Sequence, residues 1–132
     1  MSERQNLRTI VRWLDAMRRR DVDQAMDSFA AGVTWEGVAE GVACHDKGDV
    51  REMLDSPLLG EAAHALELIA RGDRVVLGVR SPDIEEIGGV SLEGQLYTVF
   101  ELVDGEIVRA HDYALRAEAL AAAAIGDAPI WR

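Results

Sequence analysis

Asp112 is the residue whose setting best suits chemistry in this chain of 132 residues. It lies near the end of a strand-like stretch, Glu106 to Tyr113, that returns from an Asp104-Gly105 turn. Asp-Gly is a strong hairpin signal, because both central residues of a type I′ turn take positive φ. Counting outward from that turn, Val103 pairs with Glu106, and a regular register sets Tyr97 opposite Asp112. Directly opposed residues share a sheet face, so a phenol and a carboxyl would converge there. A bulge would bring Leu96 or Thr98 to Asp112 instead. A carboxyl in apolar surroundings has its pKa raised, which suits a general base near neutral pH. Tyr97 would then donate a hydrogen bond to developing negative charge. Acid/base chemistry by Asp112 and Tyr97 is the expectation. The alternative is a carboxylate that caps the last helix or pairs with Arg109 or Arg116.

Other reactive residue types are scattered. On a regular strand His111 points away from the Asp112 face, as a surface or interface histidine would. His45 precedes a helix start, where a polar side chain often just satisfies backbone groups, and His64 sits in a loop-like context. Three dispersed histidines and the lone Cys44 have no metal-ligand spacing, so no metal is expected. Cys44 has no base beside it in sequence and reads as a small buried residue. No glycine-rich phosphate loop is present, so no nucleotide or other cofactor is expected. Glu36, next to Trp35, would face a cavity mouth or remain a solvated strand-edge acid. Trp13, Met17, Phe29, Trp35, Met53, Thr98 and Phe100 are the residues expected to line a pocket; the aromatics and methionines among them would equally fill a core.

Helices and strands must bring these residues together. Ser2 with Gln5 has the pattern of a capping box, followed by Leu7, Ile10, Val11, Leu14 and Met17 at helical spacing. Asp21 with Gln24 opens a second helix carrying Val22, Ala25, Met26 and Phe29, and Gly32 should break it before a short strand, Val33-Thr34-Trp35. A third helix begins near Asp46, carries Val50, Met53 and Leu54, and stops before Pro57. Strands are expected around residues 66–70, 75–80, 90–103 and 106–113, with a turn at Gly72-Asp73. The stretch 81–89, with Pro82, Gly88 and Gly89, would be a loop able to act as a mobile lid. An alanine-rich segment, 114–124, closes as a helix with Gly126 as its stop. Three helices, an antiparallel meander and a final helix give an α+β domain spanning residues 1–132. Helices on one face of a bent sheet leave a conical cavity, the place to look for a small, mostly apolar ligand.

Composition narrows the partners. With 14 Lys+Arg against 24 Asp+Glu the net charge is −10, which argues against nucleic acids and anionic membranes. Hydrophobic residues make up 48% of the chain, enough for a real core. The polar N-terminus lacks a signal-peptide pattern, and the longest apolar run, 119–125, is too short to cross a bilayer. With one cysteine, a cytoplasmic location is expected. The strands around 75–79 and 96–102 are apolar at both parities, so the outer sheet face should be exposed and apolar, which favours a homodimer through it.

In order along the chain, Trp13-Leu14-Asp15-Ala16-Met17, Ser28-Phe29-Ala30, Val33-Thr34-Trp35-Glu36, Lys47-Gly48-Asp49-Val50-Arg51-Glu52 and Gly72-Asp73-Arg74-Val75-Val76 resemble the nuclear transport factor 2-like superfamily. The likeness closes with Phe100 to Val108 and His111-Asp112-Tyr113. The resemblance implies a cystatin-like cone, a curved, mixed but largely antiparallel sheet wrapped around N-terminal helices, and dimers through the outer sheet face. Within it the sequence is similar to SnoaL-like polyketide cyclases and, at its end, to limonene epoxide hydrolases. Asp112 matches one aspartate of the epoxide hydrolases, while Trp35 and Gly37 stand where their tyrosine and asparagine would be. Val79 and Ser81 stand at their arginine and second aspartate, with Arg80 one residue out of phase. Against ketosteroid isomerases, Trp13, Gly37 and Thr98 replace the tyrosine, the basic aspartate and the second acid. Implied function is isomerisation, cyclisation or water addition by acid/base chemistry, or ligand binding and dimerisation without catalysis.

Overall fold

A computed structural model describes residues 2–39, 43–55, 65–82, 84–87 and 89–124. In chain order the elements are α1 (Glu3–Arg18), α2 (Val22–Met26), β1 (Phe29–Glu36), β2 (Ala43–Cys44) and α3 (Lys47–Leu54). They are followed by β3 (Ala65–Arg71), β4 (Arg74–Arg80), β5 (Glu86–Ile87), β6 (Val90–Ser91), β7 (Gln95–Val103), β8 (Glu106–Tyr113) and α4 (Arg116–Ala122).

Helix starts follow local side-chain chemistry. The Ser2 hydroxyl accepts from the Gln5 backbone N–H at 3.1 Å, and the Gln5 side chain accepts from the Ser2 N–H at 2.9 Å. Asp21 caps α2 by accepting from the Gln24 N–H at 3.1 Å, and Asp46 caps α3 from the Asp49 N–H at 2.8 Å. Each cap satisfies a donor that a helix end leaves unpaired. Phe29, expected on α2, opens β1 instead, and Gly32 lies inside that strand rather than before it. Helix α2 is only five residues long, so its propensity yields to the pairing of β1 with β8.

Six strands form one mixed sheet in the order β2-β1-β8-β7-β4-β3. The β1–β8 pair is parallel and the others are antiparallel. The sheet's inner face carries Phe29, Val33 and Trp35 of β1, Val75, Leu77 and Val79 of β4, and Leu96, Phe100 and Leu102 of β7. These pack with Ile10, Trp13, Ala16 and Met17 of α1 into the main core. The architecture is the α+β cone that the sequence predicts.

Two expectations change on the outer face and at the loop. Val76, Tyr97 and Val99 point outward, yet they are buried under Ala119, Leu120 and Ala123 of the C-terminal segment. Small alanine side chains let α4 lie close on the sheet, so that part of the face is not exposed. Among its described residues the 81–89 loop is anchored rather than a free lid, with β5 paired to β6. Ile84 and Leu92 are buried in the main core. Backbone bonds from Ser81 N–H to Gly94 O at 3.0 Å and from Gly94 N–H to Ile84 O at 2.7 Å close its base. Gly94 takes φ +79°, and a Cβ there would stand 3.2 Å from the Ser81 carbonyl oxygen. His64 and Gly126 lie outside the described residues.

Candidate functional site

Asp112 lies on β8 with the inward parity of Ile107 and Ala110, both fully buried. Its register partner is Thr98, not Tyr97. The hairpin starts as counted, with Val103 opposite Glu106 and Leu102 opposite Ile107. It then shifts, because Glu101 pairs with Arg109 and leaves Val108 as an extra residue. One inserted residue reverses which residue of β7 faces a given residue of β8. Tyr97 consequently pairs with Tyr113 on the outer face, where it is 1% exposed beneath α4 and its hydroxyl donates to Gln95 Oε1. The expected convergence of Tyr97 with Asp112 does not occur.

Thr98 takes that place. Its hydroxyl donates to Asp112 Oδ1 at 2.6 Å. Asp112 as a residue is only half-buried, so part of it keeps exposed surface. The Trp35 indole N–H is directed at the same carboxyl and lowers its pKa, while lying outside hydrogen-bond geometry. Burial acts the other way and prevails. It raises the Asp112 pKa to about 6, against the lowering by Thr98 and Trp35. Asp112 is thus a desolvated carboxyl with one oxygen held by Thr98, on a residue that keeps some exposed surface.

The alternatives for Asp112 are otherwise engaged. Arg116 binds Glu67, with contacts of 2.6 and 3.1 Å. Arg109 and His111 Nδ1 reach Glu36 at 3.5 and 3.3 Å. Leu115 precedes α4 without any side-chain cap. His111 faces outward as expected, stacked on Tyr113 with ring centroids 4.4 Å apart. Glu36 belongs to this outer cluster and not to the cone mouth.

Beside Asp112 stands an aromatic quartet. Trp13 packs against Phe29, Trp35 and Phe100 at centroid distances of 6.2, 6.1 and 5.4 Å, and Trp35 meets Phe100 at 5.5 Å. All four are 3% exposed or less, so they fill the inner end of the cone as core. Met17 is part of that core, and Met53 packs against its edge. The indole N–H groups of Trp13 and Trp35 are buried without a partner.

Cys44 is the neighbour that sequence reasoning missed. The two-residue strand β2 sets it opposite Trp35, and its thiol lies 4.0 Å from the Met53 sulfur. Burial first, then the carboxylates of Asp49 and Asp112, raises its pKa. It is a protonated thiol at neutral pH. No periodic signal could reveal a strand so short.

The epoxide-hydrolase arrangement is not rebuilt around Asp112. Strands β4 and β7 pair without a bulge, Val79 with Leu96 and Arg80 with Gln95. Arg80 therefore points outward and is exposed, while Val79 and Ser81 are buried. Among the described residues, no group of three or more His, Cys, Asp or Glu side chains could hold a metal ion.

Solved structures share this fold at low identity. A putative polyketide cyclase from Sinorhizobium meliloti superposes with a TM-score of 0.62 at 19% identity, over 85% of this chain and 99% of that one. A putative ketosteroid isomerase from Kribbella flavida gives 0.60 at 17% identity, over 83% and 77%. An NTF2-like protein of unknown function from Mesorhizobium loti gives 0.67 at 18%, over 86% and 93%. No curated protein matches the chain. Likeness at these identities speaks for the fold, since one fold hosts many chemistries. The SnoaL-like domain family matches residues 10–110, from the first core turn of α1 to the strand that carries Asp112. With most of its length matched and the cone observed, this chain belongs to the SnoaL-like domain family of NTF2-like proteins.

Proposed function

We propose that the protein is an acid/base enzyme, an isomerase or cyclase, acting on a small and mostly apolar carbonyl compound at Asp112. One observation carries this reading: an inward, half-buried carboxyl fixed through Oδ1 by Thr98, with a pKa of about 6. A group with that pKa is well populated in both protonation states near neutrality, as a proton shuttle requires. Asp112 as carboxylate takes a proton from carbon beside the carbonyl, leaving an enolate. The resulting carboxylic acid returns the proton at a different carbon, or the enolate carbon attacks a second carbonyl, closing a ring, and the acid protonates the alkoxide that forms. Thr98 holds the carboxyl and, with Trp35, tunes it; neither touches the reacting atoms. The labels cyclase and isomerase on two structural neighbours agree with this class. Water addition to an epoxide is the weaker variant, because Arg80 faces away.

Deuterium uptake tests the proposal directly. Cyclic enones and aromatic polyketones incubated in D2O with the protein should gain deuterium beside the carbonyl, and Asp112→Asn should abolish the gain. Uptake unchanged by Asp112→Asn would overturn the role. A second reading, a ligand-binding module without turnover, draws on the outward placement of Tyr97, which leaves Asp112 without the expected phenol. Saturable binding of those compounds with no exchange would favour it. The homodimer implied by the family would use the polar half of the outer face, around Glu36, Arg109 and His111, because α4 covers the apolar half. Light scattering at micromolar concentration reads its mass.

A further inference from the structure

A second feature lies on the other side of α1, away from Asp112. Arg4, Arg8 and Arg12 follow one another at one-turn spacing along the exposed face of this helix. None has an acidic partner within ion-pair distance among the described residues. Like charges four residues apart weaken a helix slightly, and in a chain of net charge −10 acids to neutralise them are plentiful. The row also borders an open groove of about 790 Å3 with a largely apolar floor. Leu7 and Val11 lie between the arginines, and Val11 is 50% exposed. The opposite wall is the β7–β8 turn, Asp104 and Gly105, whose Gly105 carbonyl lies 3.5 Å from the Thr9 hydroxyl, while that hydroxyl donates to the Gln5 carbonyl of its own helix at 3.2 Å.

We infer that this groove docks a short acidic segment of another protein, extended along α1, with carboxylates at alternate positions and apolar side chains between them. Four helical residues rise about 6 Å. Two residues of an extended chain advance ~6.7 Å, so acids at every second position keep step with all three arginines. The intervening side chains of an extended segment point the other way, and Val11 and Leu7 offer them apolar contact at the segment's edge. Asp104 on the far wall repels a carboxylate there, which confines the acidic edge to the α1 side. A bilayer or a nucleic acid fits worse. Either must approach over a wide area of a strongly acidic protein, whereas screening limits the arginines' attraction to about 8 Å at physiological ionic strength.

A fluorescein-labelled, end-capped peptide alternating Glu and Val provides the test, read by anisotropy against the full chain. Saturable binding that weakens with salt is expected, with a Lys-Val peptide and one whose glutamates are clustered at one end binding poorly. R4Q/R8Q/R12Q should weaken binding about tenfold, since exposed ion pairs are individually small and three act together. Gln keeps helix propensity, so the melting temperature should hold or rise. Val11→Glu, which leaves every arginine in place, should weaken binding as well and stands in if the triple variant fails to fold. Absence of saturable binding at low salt, parental affinity in both variants, or equal affinity for the clustered peptide would each overturn the inference. So would preferential binding to phosphatidylserine vesicles, which would assign the groove to membranes.

Discussion

The Thr98 hydroxyl donates to Asp112 Oδ1 at 2.6 Å across the β7–β8 pair, one position away from where an unbroken hairpin would put the Asp112 partner. That offset, produced by the extra residue Val108, replaces a bulky phenol with a small hydroxyl. Thr98 fixes one carboxylate oxygen from directly across the strand pair.

Asp112→Asn should make stability less dependent on pH. The folded pKa of about 6 lies above the ordinary carboxylate value, so the folded state holds its proton more tightly than the unfolded state. Stability therefore falls as pH rises between about 4 and 6 and levels off above. Two units of difference correspond to roughly 3 kcal/mol at most. The asparagine variant lacks this loss, while its carbonyl still accepts from Thr98. Denaturant melts at pH 4 and pH 8 should show the variant similar to the parent at the lower value and more stable at the higher. Turnover, under the proposed function, should drop by roughly 10²–10⁴-fold.

Thr98→Val keeps the side-chain shape and removes the donor. The hydroxyl lowers the Asp112 pKa, so its loss moves the pKa further up, and the pH–rate profile should shift to the alkaline side. Leaving a buried acceptor short of a donor costs roughly 1–3 kcal/mol, less while the carboxyl is protonated. A packing defect alone would lower stability without moving the profile. The profile is therefore the measurement that separates the two.

Tyr97→Phe is the matched contrast. Tyr97 is buried on the other side of the sheet under α4, and its hydroxyl binds Gln95. Loss of that bond should cost about 1 kcal/mol and leave turnover at its parent value. A large fall in turnover with an intact fold would return Tyr97 to the reaction.

Much of this geometry is legible in the sequence, and the exceptions have physical causes. Asp104 and Gly105 take φ of 51° and 80°, as the hairpin signal requires, and the Ser2, Asp21 and Asp46 caps hold where the spacing predicts them. Alternation along β7 and β8 predicts which residues share a face but contains nothing that marks Val108 as an insertion. Tyr97 and Thr98 were therefore both candidates for Asp112, and only the bulge chooses. Strand β2 and the β5–β6 hairpin are two residues per strand, too short for any periodicity. The apolar outer face is visible as a pattern in β4 and β7. What covers it is not, because the alanine-rich α4 displays no periodic stripe to assign to a partner.

Cys44 gives a last prediction, and a probe of the site that needs no substrate. Its thiol lies opposite Trp35, and its pKa is raised by burial, by Asp49 and by Asp112 in that order. Thiolate is the species that reacts with maleimides or iodoacetamide, so alkylation at neutral pH should be slow and should accelerate as pH rises. Asp112→Asn removes one of the negative charges that oppose thiolate formation. The pH dependence of alkylation should then shift to lower pH, while accessibility stays the same because the side chains are nearly isosteric. Asp23→Asn, on the exposed surface of α2, changes net charge by the same amount without being among the groups that act on Cys44, and should leave the rate alone. A ligand seated against Asp112 should protect the thiol by covering it. If Asp112→Asn leaves the alkylation profile where it was, the carboxyl does not act on Cys44 and the two do not share one site.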